Sequence, residues 1–247
     1  EPQSTNLVTY SEDFSQWIKT NVTITPNQGI SPNGGNNASK YSGASTGQVL
    51  QNSINVSNNY TFSCYVKAIN SPFIRLRTVD GNCWFNMTTN AVATNTFADA
   101  EIKNVGNNWY RLSVTSSSFT SSNNFFIHPH ATDNTTSELN GAEFLLWGAQ
   151  VEQQSYATSY IPTNGATNTR LQDIANNSGN SDLFNDSEGV LYAEIAALAD
   201  DGTTRRISIS DGSSNPNNLV CIDMSEYTNQ IVGRVRTGNS EVAFLLA

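Results

Sequence analysis

The 247 residues are 37% hydrophobic and only 13% charged, with a formal net charge of −9 and a pI near 4.6. So acidic a chain has no general attraction for nucleic acid or anionic membranes, and no apolar run reaches the length of a membrane-spanning helix, FLLWGA at Phe144 being a buried strand at most. Aromatic residues at 10% and short alternating apolar runs argue against disorder, while abundant Asn, Ser, Thr and Gly favour turns and strand faces over long helices.

The chain opens at Glu1 with neither Met nor a signal-like stretch, which reads as a processed or excerpted polypeptide. SEDFSQWIK holds the only helical hint, one turn carrying Phe14 and Trp17 with Ser11 as its cap. NVTIT from Asn21 and GQVLQNSI from Gly47 are strand candidates on either side of a turn at Ser31-Pro32-Asn33-Gly34-Gly35. YTFSCYVKA alternates most strictly: Tyr60, Phe62, Cys64, Val66 and Ala68 share one face, and Thr61, Ser63, Tyr65 and Lys67 the other. FIRLRTV places Ile74, Leu76 and Thr78 together and turns Phe73, Arg75 and Arg77 the opposite way. CWFNM from Cys83, FADAEIKNV from Phe97, WYRLSVT from Trp109, NFFIH from Asn124 and EFLLWGAQVE from Glu143 follow, with Gly106-Asn107-Asn108 turning the chain before Trp109. Strands spaced by roughly 10 to 15 residues with no convincing helix between them predict an all-β antiparallel sandwich.

From Asn164 to Asn185 the sequence is polar and rich in Asn, Ser and Gly, which predicts a linker or crossing segment over 166–186 after a module of residues 1–165. Beyond it GVLYAEI, RRISIS, LVCIDM, QIVGRVR and EVAFLLA read as strands of a second unit, residues 187–247. Five strands are fewer than a two-sheet sandwich usually has, so this second sandwich reads as incomplete.

Cys64, Cys83 and Cys221 have no CxxC spacing and indicate neither a zinc site nor a disulfide scaffold. They read as small buried hydrophobes, with a Cys64 to Cys83 bridge left open if their strands are neighbours. Asn-x-Ser/Thr triplets at Asn21, Asn55, Asn86 and Asn134 are those an Asn- and Thr-rich chain produces by chance.

No nucleophile with a base, carboxylate pair or metal cluster is visible, so the chain reads as non-enzymatic. The two histidines, His128 and His130, share a strand face and could hold a metal with Asp133 as third ligand, but surface imidazoles satisfy the same HxH pattern. Binding has more support. With Phe62, Leu76, Phe85, Leu112 and Ile127 inward, alternation turns Tyr65, Lys67, Arg75, Arg77, Trp84, Asn86, Trp109, Arg111, His128 and His130 outward. Four of the eight basic side chains in residues 1–170 fall in that set. Aromatic rings cover the C–H face of a pyranose while Arg and Asn meet its hydroxyls or acids, so a glycan, and in particular an anionic polysaccharide, is the expected ligand. Residues on strands of different sheets would not converge, and the pattern leaves that alternative open.

NLVTYSEDFSQW, SPNGGNNASKYS, YTFSCYVKA, VGNNWYRLSV and WGAQVEQQSYATSYIPTNGATNTR, in that order, resemble a jelly-roll, carbohydrate-binding-like module of bacteriophage tail and other virion proteins. NDSEGVLYAEIAALADDGTTRRISISDG resembles the start of a concanavalin A-like or laminin-G-like sandwich. The likeness implies a jelly roll in a virion fibre that binds host-surface glycans or neighbouring subunits, with a homotrimer as the usual assembly of such fibres. It also implies that no cofactor is required, though modules of this type carry structural calcium, for which Asp13, Asp133 and Glu143 are the candidate ligands despite the lack of a DxDxDG loop. A carbohydrate-targeting module of a secreted or cell-surface polysaccharide-degrading enzyme, and a purely architectural virion protein, are the alternatives; fold alone does not choose among them.

Overall fold

A computed structural model describes residues 1–56, 58–117, 122–174, 189–194, 205–212, 217–224 and 230–246. The strands begin and end at the Asn, Gly, Ser and Pro clusters that punctuate the sequence. In chain order they are β1 (Ser4–Asn6), β2 (Ile18–Thr20), β3 (Val22–Thr25), β4 (Ser39–Gly43), β5 (Val49–Asn55) and β6 (Tyr60–Ala68). Next come β7 (Phe73–Arg77), β8 (Asn82–Asn86), β9 (Ala91–Asn95), β10 (Asp99–Gly106), β11 (Trp109–Ser116) and β12 (Ser122–His130). They are followed by β13 (Glu143–Glu152), β14 (Asn168–Arg170), β15 (Arg205–Ser210), β16 (Leu219–Met224), β17 (Ile231–Thr237) and β18 (Ser240–Leu246). The chain divides into two compact units, Glu1–Asp173 and Ile174–Ala247.

In the first unit the order β10-β11-β6-β13-β4-β3 makes one antiparallel sheet and β2-β5-β12-β7-β8-β9 the other. The central strands β11-β6-β13-β4 and β5-β12-β7-β8, with the chain stepping repeatedly between sheets, are the two interleaved Greek keys of a jelly roll. Phe62, Val66, Leu112, Val114, Phe144 and Leu146 of the first sheet meet Leu50, Ile74, Leu76, Phe85, Phe125 and Ile127 of the second in one core. Edge-on contacts of Phe125 with Phe62 and Tyr60, at 5.2 and 5.4 Å between ring centroids, lock the sheets face to face. Cys64 and Cys83 both lie in this core as free thiols. Their strands, β6 and β8, belong to different sheets, which rules out the neighbouring-strand geometry the Cys64 to Cys83 bridge needed.

β13 carries an irregularity that its sequence hides. The register against β6 slips between Trp147 and Gln150, one residue extra on β13, and Gly148 takes the slip at φ +62°. Parity changes there: Phe144 and Leu146 face the core before the bulge, and Ala149 and Val151 after it.

The ends of the first unit are clasped. β1 pairs with β14, and the Asn6 amide donates to the carbonyls of Ala149 (3.1 Å) and Ile161 (2.8 Å) while its oxygen accepts from the N–H groups of Val8 and Val151, both at 3.1 Å. Asn168–Arg170 was expected to begin the linker of 166–186; it is instead a strand of the first unit, because the backbone of Ser4–Asn6 needs a partner. The rest of that linker, residues 175–186, lies outside the described residues. The single helical turn is the 3-10 segment Phe14–Gln16, capped by Asp13, whose carboxylate accepts from the Ser15 N–H at 3.0 Å. Ser11, the expected cap, is instead buried against Tyr160 and Thr163.

In the second unit the described residues form one antiparallel meander, β15-β16-β17-β18. Of the expected strand GVLYAEI, residues 189–194 take no strand pairing. On one sheet face Arg206 clasps the buried Asp223 carboxylate through two contacts of 2.5 and 2.9 Å, with Arg234 at 3.7 Å. Burial alone would raise the Asp223 carboxyl, but Arg206, Cys221 and Arg234 together hold it below the ordinary aspartate range.

Candidate functional site

The ten side chains that alternation turns off the core are divided between the outer faces of two sheets. Tyr65, Lys67, Trp109 and Arg111 lie on β6 and β11, and this face is covered by the protein itself. Tyr65, Trp109 and Trp147 form a second buried cluster with Ala38, against which Tyr160 packs. Arg111 lies over the Tyr65 ring at 5.3 Å and donates to the Thr158 carbonyl (2.6 Å) and the Ser63 hydroxyl (3.0 Å). Trp109 Nε1 donates to the Ile30 carbonyl at 3.0 Å. Tyr65 and Arg111 therefore pin the 157–163 segment to the sheet instead of meeting a ligand, and Lys67 is left half-buried beyond them.

The other six share the outer face of the second sheet, and cross-strand register sets them in rows. Trp84, Arg75 and His128 are direct partners across β8, β7 and β12. Asn86, Phe73 and His130 form the next row, and Asn82, Arg77, Phe126 and Gln51 the row on the other side. The Arg75 guanidinium sits over Trp84 at 5.4 Å and that of Arg77 over Phe126 at 5.0 Å, a pair of cation–π contacts. The His130 ring is 6.1 Å from Trp84 and 6.3 Å from His128. Phe126 was missing from the expected set, although its place two residues before His128 puts it on the same face. Asn86 acts locally, since its side-chain oxygen accepts from the N–H groups of Thr88 (2.9 Å) and Thr89 (3.0 Å) and shapes the turn into β9.

This face lies beneath a strap. The segment after β12 reaches past β7 and β8 to the edge strand β9, where Asp133 accepts from the Thr94 N–H (3.1 Å) and hydroxyl (2.8 Å). The inner side of the sheet is filled by the core, so the strap runs over the outer side. It returns at Glu138, which bridges back to His130 and accepts from the Gly47 N–H at 3.2 Å. His130 Nδ1 stands 3.2 Å from the Thr135 hydroxyl and 3.0 Å from the Ser137 carbonyl. Beneath the strap Arg75 is 4% exposed, Trp84 5%, His128 2% and His130 0%.

Burial has electrostatic consequences. Desolvation, with the nearby Arg75 charge second, pushes His128 down to about 3 and His130 to about 4, so both imidazoles are neutral near pH 7. The 3.5 Å approach of His128 Nδ1 to Glu138 is accordingly no ion pair. Desolvation and the neighbouring Arg77 lower Arg75 to about 10, which leaves it a cation. Arg75 Nε, Trp84 Nε1 and His130 Nε2 have no hydrogen-bond partner among the described residues, whereas the His128 imidazole is held by the Gln48 backbone. Buried polar atoms are nearly always paired, so these are exceptions, as are Arg111 Nε and Trp147 Nε1 on the outer face of the other sheet.

The expected calcium ligands do not assemble. Asp13 caps the 3-10 turn, Asp133 anchors the strap, and Glu143 pairs with Lys40 at 2.5 Å. Among the described residues no three His, Cys, Asp or Glu side chains are grouped to hold a metal, His128, His130 and Asp133 included. Each carboxylate is already committed to a local donor, the usual role of acids at strand ends.

No family model matches the chain, and no curated protein matches it in sequence. Among solved structures it is similar to the N-terminal CBM22-1–GH10 modules of Clostridium thermocellum endo-1,4-beta-D-xylanase 10B complexed with xylohexaose, at 12% identity and TM-score 0.38, over 65% of this chain and 30% of that one. It is also similar to the CBM22-1 xylan-binding domain of Paenibacillus barcinonensis Xyn10C, at 15% identity and TM-score 0.36, over 62% and 94% of the two chains. A third likeness is to the enzymatically active domain of bacteriophage CBA120 tailspike protein 4, at 14% identity and TM-score 0.32, over 59% and 21%. The chain thus spans under a third of the xylanase structure, and at these TM-scores none of the three likenesses assigns it a ligand or an activity.

Proposed function

We propose that the first unit is a non-enzymatic glycan-binding module, and that the outer face of β5-β12-β7-β8 is where the sugar lies. The observation that carries this reading is the convergence of Arg75, Trp84, His128 and His130, of whose buried polar atoms Arg75 Nε, Trp84 Nε1 and His130 Nε2 have no partners among the described residues. With the strap moved aside, the stacked Arg–aromatic pairs would offer a flat apolar platform edged with donors, which suits a pyranose better than a peptide or a nucleic acid. The setting we propose is a virion fibre whose modules bind bacterial-surface glycans or neighbouring subunits, on the resemblance of the terminal segments to phage modules. No step of such binding calls on a cofactor. Attached to a catalytic domain, the same face would equally target a secreted polysaccharide-degrading enzyme.

The test is binding of the chain to an array of bacterial-surface and plant or algal polysaccharides, with Trp84→Ala and Lys67→Ala variants. Saturable binding abolished by Trp84→Ala and kept by Lys67→Ala is the expected result. A folded protein that binds no glycan would overturn the reading and leave an architectural role.

A further inference from the structure

Resting on the glycan-binding reading, we infer that this face selects acidic sugars: Arg75 receives the carboxylate or sulfate, and Glu138 stands in for that anion until the ligand arrives. Arg75 is almost wholly buried; its Nε has no hydrogen-bond partner among the described residues, and its guanidinium sits over the Trp84 ring. Arg77 adds a second positive charge two residues along the same strand face. β12 opposes them with His128 and His130, both neutral, and β8 with Trp84, so the strands of this face supply no counter-charge.

The two carboxylates on the strap do not bond Arg75. Asp133 is spent on Thr94, and Glu138 gives one oxygen to the Gly47 N–H while the other stops 3.5 Å from His128 Nδ1. Glu138 therefore reaches Arg75 only through its field, as the charge that keeps Arg75 and His130 from being lowered further. A buried guanidinium without a bonded anion is costly, and a fork-to-fork carboxylate is the partner that relieves it best. A uronate laid on Trp84 would bring that carboxylate to Arg75 and an oxygen to the free N–H group of Trp84. Making bonds that Glu138 does not make, it would displace the strap between its anchors, the Asp133 contacts with Thr94 at one end and the backbone bridge of Glu138 to His130 with the Leu139 bonds to Pro129 and Gln48 at the other.

The experiment is calorimetric titration of the full chain with oligogalacturonate, its carboxyl-reduced counterpart of equal length, and a sulfated galactan oligosaccharide. Wild type, Arg75→Gln and Glu138→Gln are compared, with thermal melts to confirm folding. At least tenfold tighter binding of an acidic ligand than of the reduced one is expected, the carboxylate and sulfate arms showing which acid is taken. Arg75→Gln should erase that gap, and Glu138→Gln should strengthen acidic binding several-fold without helping the reduced ligand. Equal affinity of wild type for acidic and reduced oligosaccharides would overturn the inference and spare the glycan reading. An unchanged Glu138→Gln profile would remove the stand-in role. No saturable binding of any oligosaccharide, acidic or neutral, by the folded chain would sink both.

Discussion

His128 and His130 are ordinary imidazoles made unusual by position: the same alternation that points them off the core places them under the strap, where protonation is resisted. In the unfolded chain they titrate near 6.5 and in the fold near 3 and 4. Between pH 6.5 and about 4 the unfolded state takes up protons that the native state refuses, so stability falls as pH is lowered through that window. The first unit should lose roughly 5 kcal/mol between pH 7 and pH 4.5, measured by urea unfolding, and a His128→Gln/His130→Gln variant should lose far less. A flat wild-type profile would contradict the burial of these rings. Asn6 is the other residue on which much depends, since its side chain makes four hydrogen bonds in a fully buried position. Asn6→Ala should cost about 3 kcal/mol or more by leaving those groups unpaired, whereas the more exposed Arg170→Ala, which breaks ion pairs to Glu1 and Asp173, should cost about 1 kcal/mol or less. Equal costs in chemical denaturation would place the clasp elsewhere.

Strands were the most legible elements, because period-two alternation and Asn/Gly punctuation act within a few residues. β6, β7, β8, β10, β11, β12 and β13 stand where their sequences predict them, and the five positions assigned inward, Phe62, Leu76, Phe85, Leu112 and Ile127, are all fully buried. The bulge in β13 was not legible, because FLLWGAQV is apolar on both sides of the slip and the change of parity shows only against β6. Gly148→Ala should cost about 1 to 3 kcal/mol, since the residue sits at φ +62° and a Cβ there would come within 2.9 Å of the Tyr65 ring. A melting temperature unchanged from wild type would mean that β13 can pair without the bulge. The strap was equally hidden: Asp133 looked like a metal ligand, and only its contact with β9 shows it to be an anchor. Asp133→Ala should speed amide hydrogen exchange across 131–138 while leaving β6 and β13 protected; exchange as slow as in wild type would show that Thr94 does not hold the strap.

At the scale of the molecule, the two units respond to acid in different ways. The first weakens from pH 6.5 downward through its histidines. Asp223 in the second is held below its ordinary value, so the stability it lends is complete above the usual aspartate range near 3.9 and is lost as pH falls through the still lower folded value. The candidate site was half legible for a related reason. Local sequence dictates which way a side chain points from its strand, because that depends on the pleat alone. It therefore determined the all-β class, the inward set and the pool of outward aromatic and cationic residues. Which outward residues meet was decided by strand order, a product of long-range pairing that no local pattern encodes. Tyr65 and Arg111 went to a sheet that the protein covers with its own 157–163 segment, while Arg75, Trp84, His128 and His130 came together across three neighbouring strands under the strap.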